Sequence, residues 1–481
     1  MKPGQHDRKE MHTFLAIDLG ASNGRVIIGR LSADRLWIDQ AHRFDHEIID
    51  ERGVKRWDWP RIRDQVRTGL RAACDMVGET PIRSVSCDAW GQDFGLLDEG
   101  GELFYPPVSY RDSRTDGMPH SFAEIISPLD LRKRTGSGIL GMTALCQLRA
   151  MVQQEPDVLQ RARLLLHIPD LIHYDLCGER ATDWTMATAS QLRNVKTGEW
   201  DHDLIHALGI PSRILPRVAE HPAILGQIDA ARAPHPALAG VPVISTAGHD
   251  TAAIAAAIHP MAKGTLFLSA GTWCIPGVCT GGYGLPDSLT DASIIVLGLA
   301  LNKWALFHGG MGFWLLQECR RTWAAQGFVR SYDDLVESAA RSRINSLIEV
   351  NQPRLFTPGD MVVKIASACR ETGQEVPAGP EDYTKVILDS LANGVTQSVN
   401  RLKAVTGMTF NRLHMVGGGT RNRYFCRQLS RTLGAPVLAG PTEATAIGNI
   451  LLQARTLGIL ADENDMAGVL KNSFQETVYE E

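Results

Sequence analysis

The chain has 481 residues, about three times the size of a common domain, which excludes a single small binding module and predicts two domains. Hydrophobic residues make up 44% and charged residues 21%, a composition that is typical of folded globular proteins and excludes general disorder. Lys and Arg number 49 against 54 Asp and Glu, so the formal charge is −5. The chain therefore lacks the basic excess of proteins that bind nucleic acid or anionic membranes.

The nine cysteines are scattered along the chain, and none of them forms a C-x-x-C pair. An odd number of dispersed thiols is typical of a cytosolic protein with reduced cysteines. The first residues lack the apolar core of a signal peptide, and no later stretch approaches the roughly 18 apolar residues of a membrane span. We expect a cytoplasmic protein with no nucleic-acid or membrane partner.

The first half of the chain predicts the order βββα followed by further strands. Apolar and β-branched residues mark the strands, and a turn composition at residues 21–24 separates the first two. A helix is predicted over residues 61–77, where apolar side chains recur at helical spacing. The predicted strands of this half occupy residues 13–20, 25–31, 36–44, 84–89 and 94–97.

The second half repeats a strand, small-residue turn and strand arrangement at residues 264–273. A long helix is predicted over residues 383–402, followed by a strand at 414–416, a turn of three glycines, and a helix that starts near Asn422. The repetition of this arrangement predicts a duplicated α/β domain.

The boundary between the halves is predicted between residues 241 and 263. A strand at 243–246, a helix at 250–258 and a stop signal at Pro260 occupy this region, which leaves no long flexible linker. We therefore expect the two lobes to touch and to enclose a cleft.

Gly20 to Gly24 matches G-x-S-x-G, the pattern of a hydrolase nucleophile elbow centred on Ser22. An elbow needs a helix after the serine, whereas residues 25–31 predict a strand. The alternative use of such a turn is to cradle phosphate, because glycines let successive N–H groups approach an anion and Arg25 adds positive charge. Asp18 precedes the turn and could hold Mg²⁺, which prefers one or two carboxylates plus phosphate oxygens. An ordinary hairpin remains the structural alternative.

The chain has no G-x-x-x-x-G-K-[ST] motif, so a P-loop is excluded. Gly417, Gly418 and Gly419 join a predicted strand to a predicted helix without the third glycine of a dinucleotide-binding fingerprint. A glycine run of this kind lets a flat ligand such as adenine lie against the backbone. Asn422, at the start of the next helix, is placed to reach that ligand.

His249, Asp250 and Thr251 follow a predicted strand and open a predicted helix. An Asp at this position is most often a helix cap. Opposite a phosphate site, however, a carboxylate can accept the proton of a substrate hydroxyl during phosphoryl transfer.

Two further groups of residues carry a structural and a functional interpretation. Cys274, Cys279 and His308 fit no zinc spacing and are better explained as buried side chains. Trp90 is expected in the core or in the wall of the site, although its position next to Gly91 would also suit stacking on a sugar.

Several strings in this order along the chain resemble the FGGY carbohydrate kinases, and within that family the rhamnulokinase branch. The resemblance runs from about residue 13 to 460 and rests on DLGASNGR, DAWGQDFGLLD, YRDSRTDG, HDT, GTW, MGFWLLQ, CRET, VGGG and AGPTEAT. It implies two actin-like or Hsp70-like α/β domains, of the ribonuclease H-like type, hinged around a central nucleotide and sugar cleft. It also implies domains at residues 12–257 (sugar and phosphate) and 258–460 (ATP), with a C-terminal tail at 461–481.

The same resemblance implies transfer of the γ-phosphoryl group of ATP, with Mg²⁺, to the primary hydroxyl of a ketose. Asp250 would be the general base and Asp18 would hold the metal. The implied sugar contacts are Trp90, Gly91, His249, Thr251 and Gly309. The implied ATP contacts are Ala21, Ser22, Asn23, Gly24, Arg25, Gly271, Thr272, Gln317, Gly417, Gly418, Gly419 and Asn422.

One residue departs from the rhamnulokinase pattern. Rhamnulokinases carry an Asn where this chain has Gly309, eight residues before Gln317. The expected sugar is L-rhamnulose, with L-fuculose, L-xylulose and D-ribulose as alternatives, because a glycine offers no side chain to a hydroxyl. An actin-like or Hsp70-like nucleotide switch is the other functional alternative. The sequence leaves open whether the protein is a monomer or a homodimer.

Overall fold

The computed structural model describes residues 11–283, 291, 293–357 and 359–480. The strands in these residues are β1 His12–Leu19, β2 Asn23–Ser32, β3 Arg35–Asp45, β4 Ile48–Glu51, β5 Val54–Trp57, β6 Ile82–Ala89, β7 Phe94–Leu97, β8 Leu103–Tyr105, β9 Leu164–His167, β10 Ala181–Thr182, β11 Arg217–Val218, β12 Ala223–Gln227, β13 Pro242–Ser245, β14 Leu266–Ala270, β15 Trp273–Cys279, β16 Ile295–Leu299, β17 Lys303–Phe307, β18 Gly310–Met311, β19 Leu413–Val416, β20 Val437–Ala439 and β21 Thr477–Tyr479.

The α-helices in these residues are α1 Trp59–Val77, α2 Met118–Phe122, α3 Pro128–Thr135, α4 Ala144–Gln154, α5 Pro156–Arg161, α6 Ile168–Cys177, α7 Trp184–Ala189, α8 His202–Ala207, α9 Asp250–Ala253, α10 Trp314–Ala325, α11 Tyr332–Ala339, α12 Met361–Glu371, α13 Pro380–Thr406, α14 Arg423–Leu433, α15 Ala444–Thr456 and α16 Glu463–Ser473. The helix predicted over 250–258 is shorter, because α9 gives way to a 3₁₀ helix at Ile254–Ala257.

The chain forms two compact units, and each of them is assembled from three segments. The first unit comprises the described residues within 1–261, 280–305 and 445–473. The second unit comprises those within 262–279, 306–444 and 474–481. The chain therefore passes between the units five times.

The first unit is built on a six-stranded sheet in the order β12-β13-β6-β1-β2-β3. β1 pairs antiparallel with β2 and parallel with β6, so Asp18 has Arg25 opposite it on one side and Asp88 on the other. β1 is almost wholly buried, because its neighbours cover both edges and apolar residues of α1 such as Ile62, Val66 and Leu70 lie in the same core. This sheet fixes the positions of the residues at the carboxyl ends of β1 and β6.

Helix α15 belongs to the first unit although it lies near the end of the chain. Its Gly448 contacts α9 so closely that a Cβ atom there would overlap the carbonyl of Ala253. Gln453 of the same helix donates a hydrogen bond to the carbonyl of Leu15 in β1, with an N···O distance of 3.0 Å. The unit is thus completed by a helix that is distant from its sheet in sequence.

The second unit contains strands in the order β15-β14-β19-β20-β21, with β18 on β15. The helix α13 has 27 residues and buries one long face, which includes Tyr383, Ile387, Leu391 and Val395, in the core of this unit. The parallel pair β14 and β19 ends at Ala270 and Val416, so the small-residue turn and the glycine turn emerge at the same edge of this sheet.

Candidate active site

The turn between β1 and β2 is a tight hairpin. The N–H of Gly20 donates to the carbonyl of Asn23 at 3.0 Å, and β2 begins at Asn23, directly after Ser22. The hydrolase elbow is excluded, because a strand and not a helix follows the serine. Gly24 is buried against the ring of Phe44, whereas residues 21–23 at the tip are partly exposed. A short, partly exposed turn of this kind suits the predicted phosphate cradle.

Asp18 and Arg25 form an ion pair across this hairpin. The distance from Arg25 Nη2 to Asp18 Oδ2 is 2.5 Å. The Asp18 carboxylate is 2% exposed and the Arg25 side chain is 19% exposed. The arginine thus neutralises a buried carboxylate while part of its guanidinium still faces the solvent.

Asp88 is a buried carboxyl group that the sequence analysis assigned no role, although it opens the DAWGQD string. Its Oδ2 accepts a hydrogen bond of 2.6 Å from Asn449 Nδ2. Its Oδ1 has no hydrogen-bond partner among the described residues. Burial raises the pKa of Asp88 well above its ordinary value, and the Asp18 carboxylate, then Asp250, raise it further. The signal available in the sequence was an acidic residue near the end of a β-strand.

The HDT motif follows β13 and forms the start of α9. The helix cap is His249, whose Nδ1 accepts the N–H of Thr251 at 3.1 Å, and Asp250 is the first residue of the helix. His249 and Asp250 share the N–H of Thr251 at the start of the helix. Asp250 Oδ1 accepts the N–H of Thr251 at 2.5 Å, and its side chain is 26% exposed against 11% for His249. The Asp250 carboxylate is thus open to solvent on part of its surface.

The backbone before Asp250 is held by the N-terminus of α7. Asp183 Oδ2 accepts the N–H of Gly248 at 3.0 Å, and Thr185 Oγ1 accepts the N–H of His249 at 3.1 Å. Asp183 Oδ1 in turn accepts both the N–H and the hydroxyl of Thr185. Burial raises the pKa of Asp183. This support of the HDT loop was not predicted, because α7 and the loop are more than 60 residues apart.

Gly91 lies directly against the imidazole of His249. A Cβ atom at this position would be 2.6 Å from His249 Nε2, so only glycine fits without moving the ring. The next residue, Gln92, has a φ of +85°, which is a strained conformation for a residue with a side chain. Gln147 Nε2 donates to the carbonyl of Gln92 at 3.3 Å. The structure thus brings the predicted sugar contacts Gly91 and His249 together on a rigid, strained loop.

Trp90 is packed inside the protein. It is 3% exposed, its ring lies 4.4 Å from that of Trp57 and 5.1 Å from that of His46, and its indole N–H donates to Asp93. A sugar stacked on Trp90 does not fit this environment, because the ring has almost no exposed surface. Trp57 also donates to Asp93, and burial raises the pKa of that carboxyl to about 6. Trp90 therefore supports the loop that carries Gly91.

In the second unit, Gly271 and Thr272 form the turn between β14 and β15. The N–H of Gly271 donates to the carbonyl of Trp273 at 2.8 Å, and the carbonyl of Gly271 accepts the N–H of Phe313 at 3.0 Å. No heavy atom lies within 4 Å of where a Cβ of Gly271 would stand. The turn is therefore rigid and has open space beside it.

The three glycines after β19 have different environments. Gly417 has a φ of +91°, and a Cβ there would be 2.8 Å from the carbonyl oxygen of Ala270. Gly418 is exposed, with no heavy atom within 4 Å of its Cβ position, whereas Gly419 is buried against Phe313. An exposed glycine between two constrained ones leaves a bare stretch of backbone on which a flat ligand can lie.

Asn422 does not lie at an open surface. It is 2% exposed, its Oδ1 accepts the N–H of Phe425 at 2.9 Å, and its Nδ2 donates to the hydroxyl of Tyr332 at 3.1 Å. The predicted contact between its amide and a ligand does not fit, because both ends of the amide are bonded within the unit. Gln317, on α10, is partly exposed, and its contact with ATP stays a prediction.

Gly309 is exposed, but its side-chain position is already taken. A Cβ there would be 2.8 Å from Ile275 Cγ2 and 3.3 Å from Ile275 Cα. A larger residue at position 309 would therefore have to displace Ile275. His308 Nδ1 lies 2.9 Å from Ser398 Oγ, so this ring is held within the unit.

The carboxylates of the first unit fit a divalent cation of the Mg²⁺ type. The described residues contain no group of three or more acidic, His or Cys side chains that could hold a metal. Mg²⁺ does not need one, since it is commonly held by one or two carboxylates together with phosphate oxygens and water. Asp18 and the unpaired Oδ1 of Asp88 supply such a pair in adjacent strands.

Comparison with known proteins gives a consistent result over the whole chain. Residues 13–257 match the N-terminal domain, and residues 266–457 the C-terminal domain, of the FGGY family of carbohydrate kinases. The chain is similar to the rhamnulokinase of Oceanobacillus iheyensis, with 32% identity over 470 residues that cover 97% of each protein. It is also similar to the rhamnulokinase of Yersinia pestis, with 34% identity over 464 residues, 96% of this chain and 93% of that protein.

Solved structures agree on the fold. The xylulose kinase of Lactobacillus acidophilus has a TM-score of 0.79 at 15% identity, and the Plasmodium falciparum glycerol kinase with ADP has 0.78 at 14%. Each comparison covers 98% of this chain and 94% of the other. At these identities the likeness shows the fold alone, which is the two-domain α/β fold that the sequence predicted.

Proposed function

Because the chain belongs to the FGGY family of carbohydrate kinases, we propose that it transfers the γ-phosphoryl group of ATP to the primary hydroxyl of L-rhamnulose, giving L-rhamnulose 1-phosphate. The chain is a carbohydrate kinase, as its motifs predicted, and the alternative of a nucleotide switch is set aside. The choice of sugar rests on one observation: relatives named rhamnulokinase match almost the full length at 32–34% identity.

In this proposal Asp250 is the general base. A hydroxyl is a poor nucleophile until it loses its proton, and a carboxylate within hydrogen-bond reach can accept that proton as the oxygen attacks phosphorus. Two features support this role: Asp250 is partly exposed, and the backbone just before it is anchored through Asp183 and Thr185. A base on a fixed backbone loses little entropy when the reaction occurs.

His249 and Gly91 would bind the sugar. His249 Nδ1 lies 3.1 Å from the N of Thr251 and 3.3 Å from Asp250 Oδ1, whereas Nε2 faces Gly91. Nε2 is therefore the ring nitrogen that would bind a sugar oxygen. The close contact with Gly91 sets the angle of the ring, so that this nitrogen is oriented before the sugar arrives.

The phosphate groups would contact the hairpin tip, Ala21 to Asn23, and Arg25. The backbone N–H groups of such a turn bind anions, and the guanidinium adds a charge-assisted hydrogen bond. Mg²⁺ held through Asp18 would neutralise the negative charge on the phosphates during transfer. Gly24, buried against Phe44, keeps the tip in its conformation.

The adenine nucleotide would bind the second unit. Gly271 and Thr272 provide a turn for phosphate, and the bare backbone at Gly418 supports a flat base beside Gln317. The presence of ADP in the similar Plasmodium falciparum glycerol kinase is consistent with a nucleotide as co-substrate. We also propose a cytoplasmic location, since all nine cysteines are free thiols, as is usual in reducing compartments.

The test is a coupled assay of ADP release from ATP and Mg²⁺ with four ketoses: L-rhamnulose, L-fuculose, L-xylulose and D-ribulose. We expect the highest kcat/KM for L-rhamnulose and phosphate on its primary hydroxyl by NMR. Asp250→Asn should lower kcat by about 10² to 10⁴-fold while sugar binding largely survives. A higher kcat/KM for another ketose would refute the choice of sugar, and an Asp250→Asn variant within a few-fold of the parent would refute the assignment of the base.

A further inference from the structure

We propose that Asp88 is a second carboxylate for the divalent cation, acting beside Asp18 and oriented by Asn449. This inference rests on the proposed function, since it adds a residue to the cation site of the phosphoryl-transfer reaction. It assigns a role to a buried acidic residue that the mechanism above does not use.

Asp18 and Asp88 are register partners in the adjacent parallel strands β1 and β6, and each lies one residue before the end of its strand. They are 2% and 0% exposed. Adjacent parallel strands are about 4.8 Å apart, a separation that allows two carboxylates to share one cation or its water shell.

Asp88 is fully buried, yet its Oδ1 lacks a hydrogen-bond partner among the described residues. A buried carboxyl oxygen without a partner costs free energy, and such atoms in folded proteins usually mark a ligand, an ion or a water. A cation with its bound water would satisfy this oxygen.

Asp88 lies close enough to two other carboxylates, those of Asp18 and Asp250, to be repelled by them, and Arg25 is paired with Asp18. Like charges in a buried site repel strongly unless a counter-charge is present. A divalent cation supplies two positive charges without requiring another side chain.

A row of amide side chains on α15 determines which oxygen of Asp88 has no hydrogen-bond partner among the described residues. The carbonyl of Leu15 accepts from Gln453 Nε2 at 3.0 Å, which shows that this nitrogen is the donor end of the amide. The same nitrogen donates to Asn449 Oδ1 at 2.8 Å, so Asn449 must direct its Nδ2 to Asp88 Oδ2. Ser84 completes the row by donating to Gln453 Oε1 at 2.7 Å.

This row of buried amides orients Asp88 from behind. Asn449 and Gln453 are 0% exposed and one helical turn apart on α15, so both can contact the sheet. Asn449 binds one oxygen of Asp88, Gln453 holds Asn449 in place, and the other oxygen of Asp88 has no hydrogen-bond partner among the described residues. Asn449 is therefore a positioning residue, and Asp88 is the group that meets the cation or its water.

The test uses Mn²⁺ as the probe, measured by electron paramagnetic resonance on the full-length protein without nucleotide. The parent should bind one Mn²⁺, and Asp88→Asn should weaken that binding about tenfold, or about 1.4 kcal/mol. Asp201→Asn is the matched control, because Asp201 is also buried but caps α8, where Asn caps equally well. The control should bind Mn²⁺ as the parent does.

A second variant and a kinetic measurement complete the test. Asn449→Ala keeps the carboxylate but removes its orientation, so Mn²⁺ binding should weaken by a smaller factor than in Asp88→Asn. In turnover, Asp88→Asn should raise the Mg²⁺ concentration for half-maximal rate about tenfold and leave the KM for L-rhamnulose unchanged. Circular dichroism on each variant establishes whether it is folded. If Asp88→Asn does not fold, Mn²⁺ binding by Asn449→Ala decides whether Asp88 contributes to the cation site.

The outcomes are distinct. Equal Mn²⁺ binding by the parent and Asp88→Asn, or no Mn²⁺ binding by the parent, overturns the inference. A raised KM for sugar with unchanged Mn²⁺ binding also overturns it, since Asp88 would then contact the sugar. A parent that binds Mn²⁺ through Asp88 but phosphorylates none of the ketoses contradicts the proposed function and not the cation site.

Discussion

Replacing Gly91 by Ala tests how His249, the proposed sugar contact, is held. The added Cβ would stand 2.6 Å from His249 Nε2 and 2.7 Å from Cδ2, whereas ordinary contacts begin near 3.4 Å. The ring must therefore move by about 0.8 Å. It cannot do so freely, because Thr185 and Thr251 bind the backbone and the Nδ1 of His249.

A displacement of about 1 Å in a positioned group can reduce turnover about 10²-fold. We therefore expect Gly91→Ala to lower kcat/KM for L-rhamnulose about 10- to 100-fold, with the KM for ATP within twofold of the parent. The assay is ADP release at saturating ATP with varied sugar. Gly468→Ala is the control, since no heavy atom lies near its Cβ position and Ala favours the surrounding helix α16.

A double-mutant cycle locates the effect. If the methyl group acts through the imidazole, Gly91→Ala should cost little in a His249→Ala background, because the ring that it displaces is gone. Gly91→Ala with kcat/KM within twofold of the parent would refute the reasoning. So would an equally large loss in both backgrounds.

Three further variants test other parts of the structure. Gly417→Ala should lower the free energy of unfolding by about 1–3 kcal/mol and raise the KM for ATP, since a side chain is strained at its φ of +91°; urea unfolding and ATP titration check this, and an unchanged KM would contradict it. Burial lowers the pKa of His173 to about 4, so the unfolded state takes up the proton first and stability is lost as pH falls from 6.5 towards 4. Between pH 7 and 4.5, the free energy of unfolding of the parent, measured with urea, should thus fall by about 2–3 kcal/mol more than that of His173→Gln. Equal decreases in the two proteins would contradict this pKa. Gly309→Asn should raise the preference for L-rhamnulose over L-fuculose only when Ile275→Ala makes room for it, with Gly309→Ala as the control. The parent should discriminate weakly between these sugars, because Gly309 offers no side chain to a hydroxyl. A parent that already discriminates about 10⁴-fold would contradict this.

Local sequence patterns predicted much of the fold because they depend on neighbouring residues. The apolar run before Gly20, the turn composition after it and the β-branched residues beyond it specify the first hairpin without distant information. The helical periodicity of α1 and α13 did the same. The HDT and glycine motifs were found because their residues are contiguous.

The parts that were missed depend on residues far apart in the chain. Asn449 and Asp88 are 361 positions apart, and no periodicity connects them. The blocked position at Gly309 follows from Ile275, which is visible only when the strand that carries it is in place. The burial of Trp90 likewise depends on Trp57 and His46, which lie more than 30 residues earlier.

The discontinuous first unit has a consequence for the order in which the protein is made. Its sheet is synthesised by residue 261, but α15, which supplies Asn449 and Gln453, and α16 follow about 200 residues later. At roughly 5–20 residues per second, the sheet waits about 10–40 s on the ribosome before those helices emerge. During that interval the surface that α15 later covers, which includes Leu15, Ser84 and Ala253, is open to water and to other chains, so this face of the nascent protein is where we expect chaperones to be needed.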